Sequence, residues 1–353
     1  MLMMLVKASV AHAFAADFSK QDSLEIEGIS ILGNNKTKER IILRELDFKT
    51  GDRIAASELD TLLKINRDHI FNLHLFLEVH LESRLIEKGK IHIIIVVKER
   101  WFTLPSFNIE LADRNINEWW TVYHRDLKRI LYTTALTQQN CRGRNETFMA
   151  ALQFGYSNYL LLLYDIPSID KNSKHGLSFT SQFLRNREIA YDTDASNRLL
   201  YYRSEDIIRK RQQYSLTYKY RPAIKNIHLF DLSFHNNIIA DTISLLNPYY
   251  LPNTNNMSFI TFSYSFNRNN TDIHYYPNKG YSLSLSLRHL GLGLSRDISS
   301  FDMTTSFAWY KELSKKLFAA TSLNARINSS KEQHFLYAPN HGYEGNFVRS
   351  YEF

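Results

Sequence analysis

The spacing of apolar and polar positions changes character at Trp101. Before that residue the chain mixes extended and helical runs. Leu24 to Leu32 is an extended apolar piece that closes on Gly33-Asn34. From Thr37 the pattern predicts a helix, with Thr37 as N-cap, Glu39 in the first turn facing the positive end of the dipole, and Ile42 and Leu46 on one side. Gly51-Asp52 breaks it. A second helix is expected from Ser57, because Ser57 and Asp60 resemble a capping box and Leu59, Leu62, Leu63, Ile70 and Leu73 recur at helical spacing. Two runs rich in β-branched residues follow, Phe76 to Leu81 and Ile91 to Val97, joined through Glu87-Lys88-Gly89-Lys90. The order is strand, helix, helix, strand, strand, which closes a small core when two helices lie on a three-stranded sheet. An α+β module over residues 24–101 is the expectation.

After Trp101 the period is two. Tyr281, Leu283, Leu285 and Leu287 alternate with Ser282, Ser284, Ser286 and Arg288. Ile260, Phe262, Tyr264 and Phe266 alternate with Thr261, Ser263, Ser265 and Asn267, and Phe230, Leu232 and Phe234 with Asp231, Ser233 and His235. Leu216, Tyr218 and Tyr220 do the same against Thr217, Lys219 and Arg221. About eleven such strands can be placed, centred near residues 107, 128, 151, 162, 180, 217, 232, 262, 285, 305 and 322. Their connections differ in length. Arg221 to Asn226 and Leu313 to Lys316 are short, whereas Ala240 to Asn256 and the stretch around Ser204 to Arg211 are long, the asymmetry of an outer-membrane barrel. A soluble β-sandwich would also alternate, but it gives no reason for aromatic, lipid-like faces. The expected second domain, residues 102–353, is an all-β antiparallel transmembrane barrel.

Composition sharpens this picture in three ways. Among 353 residues there are 21 Tyr and 22 Phe against 12 Gly and 7 Pro, a bias toward strands and interface anchors. No apolar run reaches the roughly 18 residues of a membrane helix, so a membrane-spanning form has to be a closed barrel. Met1 to Ala15 carries an apolar run, interrupted by Lys7, that ends in Ala11-His12-Ala13 and Ala13-Phe14-Ala15; residues 1–15 are expected to be a signal peptide, and the chain to be exported.

The net charge of +7 suits lipopolysaccharide phosphate, anionic lipid or nucleic acid. Its cations are scattered, and the single triplet, Arg209-Lys210-Arg211, reads as a solvated loop. Cys141 stands alone, which excludes an intrachain disulfide and a thiolate metal cage. No HExxH, P-loop, Cys/His cage or GxSxG elbow occurs, and the 13 His are dispersed. Catalytic residues, cofactors and metal ligands are therefore not expected, nor is a nucleic-acid partner.

Several short motifs carry a resemblance. GNNKT at 33–37, TGDRI at 50–54, LFLEV at 75–79 and VKERW at 97–101 resemble the landmarks of the POTRA (polypeptide-transport-associated) domain, in the family's order; an unrelated α+β domain is the alternative. Within the second domain, DIHYYPNKG at 272–280 resembles the Asp-then-Pro-x-x-Gly turn of BamA/TamA-type barrels, marked by Asp272, Pro277 and Gly280. GNFVRSY at 345–351 resembles their Val-Arg-Gly-Phe/Tyr loop motif, with Val348, Arg349, Ser350 and Tyr351, although Ser350 replaces the family's Gly. GRNE at 143–146 and YDIPSID at 164–170 are similar to signatures of single-POTRA members in a Bacteroidetes-like branch. The family barrel has about sixteen strands, so the eleven placed here imply a C-terminally truncated, incomplete barrel.

What the resemblance implies is an outer-membrane protein with its POTRA domain in the periplasm. Its partners would be unfolded outer-membrane or secreted polypeptides, the lipid bilayer and lipopolysaccharide, and periplasmic accessory proteins. The client would add to the POTRA edge strand at Phe76, Leu77, Glu78, Val79, His80 and Leu81. Gly33, Asn34, Gly51 and Asp52 would form the POTRA turns. Arg349 would hold the loop in the lumen by pairing with a carboxylate. Two alternatives stay open: an exporter of the two-partner type for one dedicated client, and a passive outer-membrane channel.

Overall fold

The computed structural model describes residues 23–337, apart from residues 88, 113–115, 171, 196–198, 252–254, 274, 293–297, 315 and 331–333. Residues 1–15, expected to be the signal peptide, and Val348 to Tyr351 lie outside the described residues. The chain forms two compact units, one holding residues up to 35 and 39–100, the other residues 36–38 and those from 101 onward.

The first unit runs β1 (Ser23–Leu32), α1 (Glu39–Leu43), β2 (Arg53–Ala55), α2 (Leu59–Phe71), β3 (Phe76–Glu87) and β4 (Lys90–Glu99). Its sheet has four strands in the order β2-β1-β4-β3, one more than the spacing predicted. The added strand arises because Ile54 is drawn into the core opposite Leu24, which keeps Arg53–Ala55 extended. The chain then turns through a 3₁₀ helix at Ala56–Glu58, so Ser57 is not the N-cap of α2, and Glu58, which is, makes no side-chain cap bond. β1 and β4 are parallel neighbours at the centre, as a strand–helix–strand crossover requires. On β4 the alternate residues Ile91, Ile93, Ile95 and Val97 are buried. They meet Ile41, Ile42, Leu63 and Ile70 of the helices and Leu24 and Ile26 of β1 in one core. Each such side chain contributes about 1.5–3 kcal/mol.

Asn66 of α2 is completely buried, an exception to that apolar rule. Its Oδ1 accepts the Asp47 backbone N–H at 2.6 Å and its Nδ2 donates to the Leu62 carbonyl at 2.8 Å. The side chain thereby ties the segment after α1 to α2.

The second unit contains β5 (Thr103–Leu111), α3 (Ile116–Thr121), β6 (Ile130–Cys141), β7 (Glu146–Gly155), β8 (Ser157–Ile166), β9 (His175–Asn186), β10 (Glu188–Thr193), β11 (Leu199–Arg203) and β12 (Arg209–Ala223). It continues with β13 (Asn226–Ile239), α4 (Asp241–Leu246), β14 (Asn256–Thr271), β15 (Gly280–Leu290), β16 (Ser300–Ser314) and β17 (Leu317–Ser330). Eleven strands form one sheet, in the order β17-β16-β15-β14-β13-β12-β9-β8-β7-β6-β5. β10 and β11 pair only with each other. This hairpin fills what the sequence reads as plain loop, because its apolar residues Ile189 and Tyr202 pack with Ile208, Ile239 and Tyr250. The strand expected near residue 128 begins at Ile130, behind a 3₁₀ turn at Leu127–Arg129.

Connections at the end where β5 starts, here the near end, are short: 142–145, 167–174, 224–225, 272–279 and 315–316. Those at the far end are 112–129, 187–208, 240–255 and 291–299, with Tyr156 alone between β7 and β8. Register places the apolar alternates in continuous outward rows. Leu177, Tyr218, Phe230, Tyr264, Leu287 and Met303 follow one another across six strands. Toward the near end, ring pairs Phe230–Tyr264 at 5.1 Å, His228–Phe266 at 4.9 Å and Tyr281–Phe307 at 6.4 Å make an aromatic girdle. Arg268 stands over Tyr281 and Lys311 over Trp309, cations at the polar edge of that girdle.

Candidate functional site: two open strand edges and a polar concave face

β3 has one neighbour, β4, and is an edge strand over its whole length. Phe76 and Val79 turn inward and are buried, whereas Leu77 is 58% exposed and His80 is exposed. Leu81 is half-buried. Glu78 pairs across the ladder with Lys98 at 2.7 Å, and that hydrogen bond holds its carboxyl below the usual range. The six residues predicted for the edge thus divide into anchors that fix the strand and side chains that an added strand would meet.

The turns that set up this sheet depend on glycine. Gly33 has φ +89° and a Cβ there would lie 2.0 Å from the Val97 carbonyl oxygen, while Gly51 has φ +92° with open space around it. Asn34 follows the bend at Gly33. Asp52 accepts the Lys49 N–H on Oδ2 at 2.9 Å, and its carbonyl accepts from Ile26 N–H, holding the turn against β1.

Among the described residues β5 has one neighbour in the large sheet, β6. Gln139 N–H donates to Phe102 O, and Ala112 N–H to Arg129 O, so even-numbered residues of β5 turn their backbone groups to β6. Odd-numbered residues turn theirs to the open side. Pro105 stands among them, where its missing N–H costs no ladder bond with β6 and removes one donor from the free edge. Phe107 and Ile109, 67% and 57% exposed, carry the next free positions.

The concave face is polar. A cavity of about 910 Å³ lies on it, lined by residues including Arg209, Arg211, Asp231, Ser263, Arg288 and Asp302. Asp302, 5% exposed, is held by Arg288 at 2.6 Å, Arg326 at 3.0 Å and Asn328 at 3.0 Å, from the strands on either side. Asp231 accepts from Thr217 at 2.8 Å and from Ser233. Lys219 pairs with Asp165 of the YDIPSID stretch. At the far end an apolar cluster of Ile243, Tyr250, Met257 and Phe259 borders the cavity, with Phe335 and Tyr337 packed on it.

Both early signatures are structural. Glu146 of GRNE is fully buried and receives Arg142 through two bonds of 2.9 Å, with Tyr164 Oη at 3.2 Å. Asn140, Arg142, Gly143 and Asn145 all have positive φ, so this turn is a run of left-handed residues. Thr37, expected as an N-cap, is buried in the second unit and accepts Asn140 Nδ2 at 2.8 Å. In the 272–280 turn Asp272 Oδ1 accepts from Asn278 N–H at 3.0 Å and Lys279 N–H at 3.3 Å, closing the loop that contains Pro277. Gly280 then needs φ +104°, and a Cβ would lie 2.0 Å from Asn270 O.

Arg209-Lys210-Arg211 is no loop. The triplet opens β12, which sends Arg209 and Arg211 into the cavity and leaves Lys210 exposed outside. Sequence reasoning also missed the pair Arg129–Glu188, whose side chains are 5% and 6% exposed at 2.7 Å. The Arg129 guanidinium lies 3.6 Å from the Tyr123 ring centroid. Neither residue belongs to an alternating run that would have marked it. Cys141 is half-buried, its thiol on the Gln138 carbonyl at 3.3 Å.

An antiparallel sheet with an apolar outer face, a polar concave face and unequal connections at its two ends is that of a membrane β-barrel, here following a small strand–helix–helix–strand–strand unit. Residues 24–100 match the POTRA model, described as a surface antigen variable number repeat, and residues 140–351 match the Omp85 superfamily domain. The chain belongs to the Omp85 superfamily of outer-membrane β-barrel proteins. Among solved structures it is similar to BamA from Haemophilus ducreyi lacking POTRA domains 1–3, at 17% identity and a TM-score of 0.50 over 87% of this chain and 56% of that one. It is also similar to CdiB from Escherichia coli, at 12% identity and a TM-score of 0.51 over 88% of this chain and 55% of that one. At these identities the likeness is one of fold, and the chain spans just over half the length of either protein. Comparison with curated proteins finds no match.

Proposed function

We propose that the protein receives extended polypeptides by strand addition and passes them to the outer membrane, as an assembly or translocation factor with its POTRA unit in the periplasm. The observation that carries this reading is that the first unit of an Omp85 member leaves β3, a strand of twelve residues, with one side unpaired among the described residues. An unfolded client gains main-chain hydrogen bonds at such an edge, each worth about 0.5–1.5 kcal/mol net, with little dependence on its side chains. Several bonds of that size give binding that is sequence-tolerant and reversible. The exposed Leu77 and His80 on β3 supply side-chain contacts for the client. The work is mechanical pairing, without bond-making chemistry.

The test is depletion combined with crosslinking. A photoreactive residue at His80 should capture unfolded outer-membrane polypeptides, and depletion should lower the levels of several barrel proteins together. Unchanged levels would sink the assembly reading; loss of one secreted product alone would make the protein a dedicated exporter, and altered solute permeability alone a channel.

A further inference from the structure

We infer that the outer face of the barrel carries a built site for the phosphate of a glycolipid in the outer leaflet, formed by Arg185 and Lys210 with Asn158 beside them. The inference rests on the outer-membrane placement proposed above. Arg185 on β9 and Lys210 on β12 are direct cross-strand partners, and Asn158 on β8 is the partner of Arg185 on its other side. The three residues form one row across three adjacent strands. They share the outward parity of Phe183 and Tyr214, whose rings meet edge to face at 5.7 Å, whereas Asn186, Arg209 and Arg211 line the cavity behind them.

Two like charges directly opposite in a ladder repel, with Cβ atoms about 5 Å apart. Both side chains are exposed, and among the described residues neither pairs with a carboxylate. In the cavity Arg288 and Arg326 share Asp302, and Lys219 takes Asp165, while at the near end Arg268 and Lys311 stand over aromatic rings. Arg185 and Lys210 instead face each other on the membrane-facing side, at the end with long connections. On the same face the next positions toward the near end are Leu160, Phe183 and Gln212, followed by Leu162, Ser181 and Tyr214, with Phe234 beside Tyr214 on β13. Same-face positions along a strand are about 7 Å apart, so the cations stand just beyond the level at which the outward row turns apolar.

That level is where a lipid headgroup lies against a barrel, and long Arg and Lys side chains reach it by snorkelling. A phosphate monoester carries about −1.5 to −2 charges and three acceptor oxygens. It accepts a bidentate Arg and a Lys ammonium together, turning the repulsion into a bridge. Asn158 supplies a further amide donor. Arg187, exposed and two residues beyond Arg185, adds charge nearby, with its Nε on the Glu205 carbonyl at 3.0 Å. In a barrel whose long connections face outward, this end lies in the outer leaflet, which selects a phosphorylated glycolipid of the lipid A type.

The experiment uses the full chain in detergent micelles, with thermal unfolding and native mass spectrometry as readouts. The probes are bisphosphorylated lipid A, the same lipid stripped of phosphate, and inorganic phosphate. Phosphorylated lipid A should raise the unfolding temperature and appear as an adduct; the Arg185→Gln/Lys210→Gln double variant should bind it at least about tenfold more weakly. Arg185→Lys/Lys210→Arg, which keeps both charges, should retain binding. Equal protection by the dephosphorylated lipid, equal protection by inorganic phosphate at the same concentration, or undiminished binding by the double variant would each overturn the assignment. Should the double variant not fold, the single substitutions Arg185→Gln and Lys210→Gln decide it by the same criteria. Membrane fractionation reads the outer-membrane placement separately, so failure of that placement and failure of the phosphate site are distinguishable.

Discussion

Replacing Glu188 by Ala should open the far end of the barrel without unfolding the sheet. Glu188 begins β10 and accepts two bonds from Arg129 Nη1, at 2.9 and 2.7 Å, which ties the 187–208 connection to the 112–129 connection. Both side chains are almost wholly withdrawn from solvent. Deleting one partner of a buried pair costs about 3–5 kcal/mol, because the remaining charge stays desolvated. Contact with the Tyr123 face returns up to about 2 kcal/mol of this, since a ring quadrupole still attracts the guanidinium. Arg203 Nε, 4.0 Å from the same carboxylate, works the other way by leaving two cations with one fewer anion. The expected net loss is about 3 kcal/mol, roughly a hundredfold in the local opening equilibrium.

Hydrogen exchange read by mass spectrometry checks this, with peptides from 187–208 and 112–129 as reporters and peptides from β14 to β16 as internal reference. Glu188→Gln, which keeps an acceptor and drops the charge, should fall between wild type and Glu188→Ala. The double variant Arg129→Leu/Glu188→Leu should be milder than Glu188→Ala, since it leaves no buried charge unpaired. An opening change below about threefold, or a double variant worse than the single, would refute the reasoning.

Four further outcomes follow from the same geometry. Gly280→Ala should destabilise the barrel by about 2–4 kcal/mol in urea unfolding, because it adds a contact with Asn270 O to a backbone penalty; Gly51→Ala, at similar φ but in open space, should show only about 1 kcal/mol in the first unit. Asn66→Ala should cost that unit about 1–3 kcal/mol by leaving the Asp47 N–H without its acceptor, visible as a lowered unfolding midpoint. Asp126, hydrogen-bonded by Arg203 and then by the Lys128 backbone N–H, has its carboxyl held below the ordinary value. Its contribution is in place above the unfolded carboxylate pKa of about 3.9 and is lost as pH falls through the lower folded value; exchange in 112–129 should therefore rise only in acid, and Asp126→Asn should abolish that dependence. Pro105→Val restores a donor to the free edge of β5 and should raise the fraction of strand-paired dimer seen by size exclusion and crosslinking.

The parts of this fold that were legible are those in which one physical rule acts alone. Period two survives along β12 to β16 because one face meets an apolar surround and the other a polar cavity, so every residue from Tyr281 to Arg288 declares its side. Gly33 and Gly280 were legible for a related reason, since a Cβ at either position would strike a carbonyl oxygen and no other residue type satisfies the turn. Where two rules compete, the sequence misleads. Ser57 has the chemistry of a cap, but Ile54 joins the sheet beside Leu24 and the chain then winds through a 3₁₀ turn at Ala56–Glu58, so the residue before α2 is already helical where a cap needs extended backbone.

Arg209-Lys210-Arg211 shows the same competition in a form that bears on function. Three consecutive cations suggest solvent only if all three point the same way. On a strand they cannot, and the alternation that made Tyr281 to Arg288 readable here divides one charge run between a cavity and the membrane-facing surface. The partner that gives Lys210 its meaning, Arg185, is supplied by register between strands whose connection contains a hairpin of its own. Spacing within a single strand does not encode that register. The open sides of β3 and β5 are set in the same way, by which strands pair, so edge and lipid-facing sites become readable only when the ladder order is known.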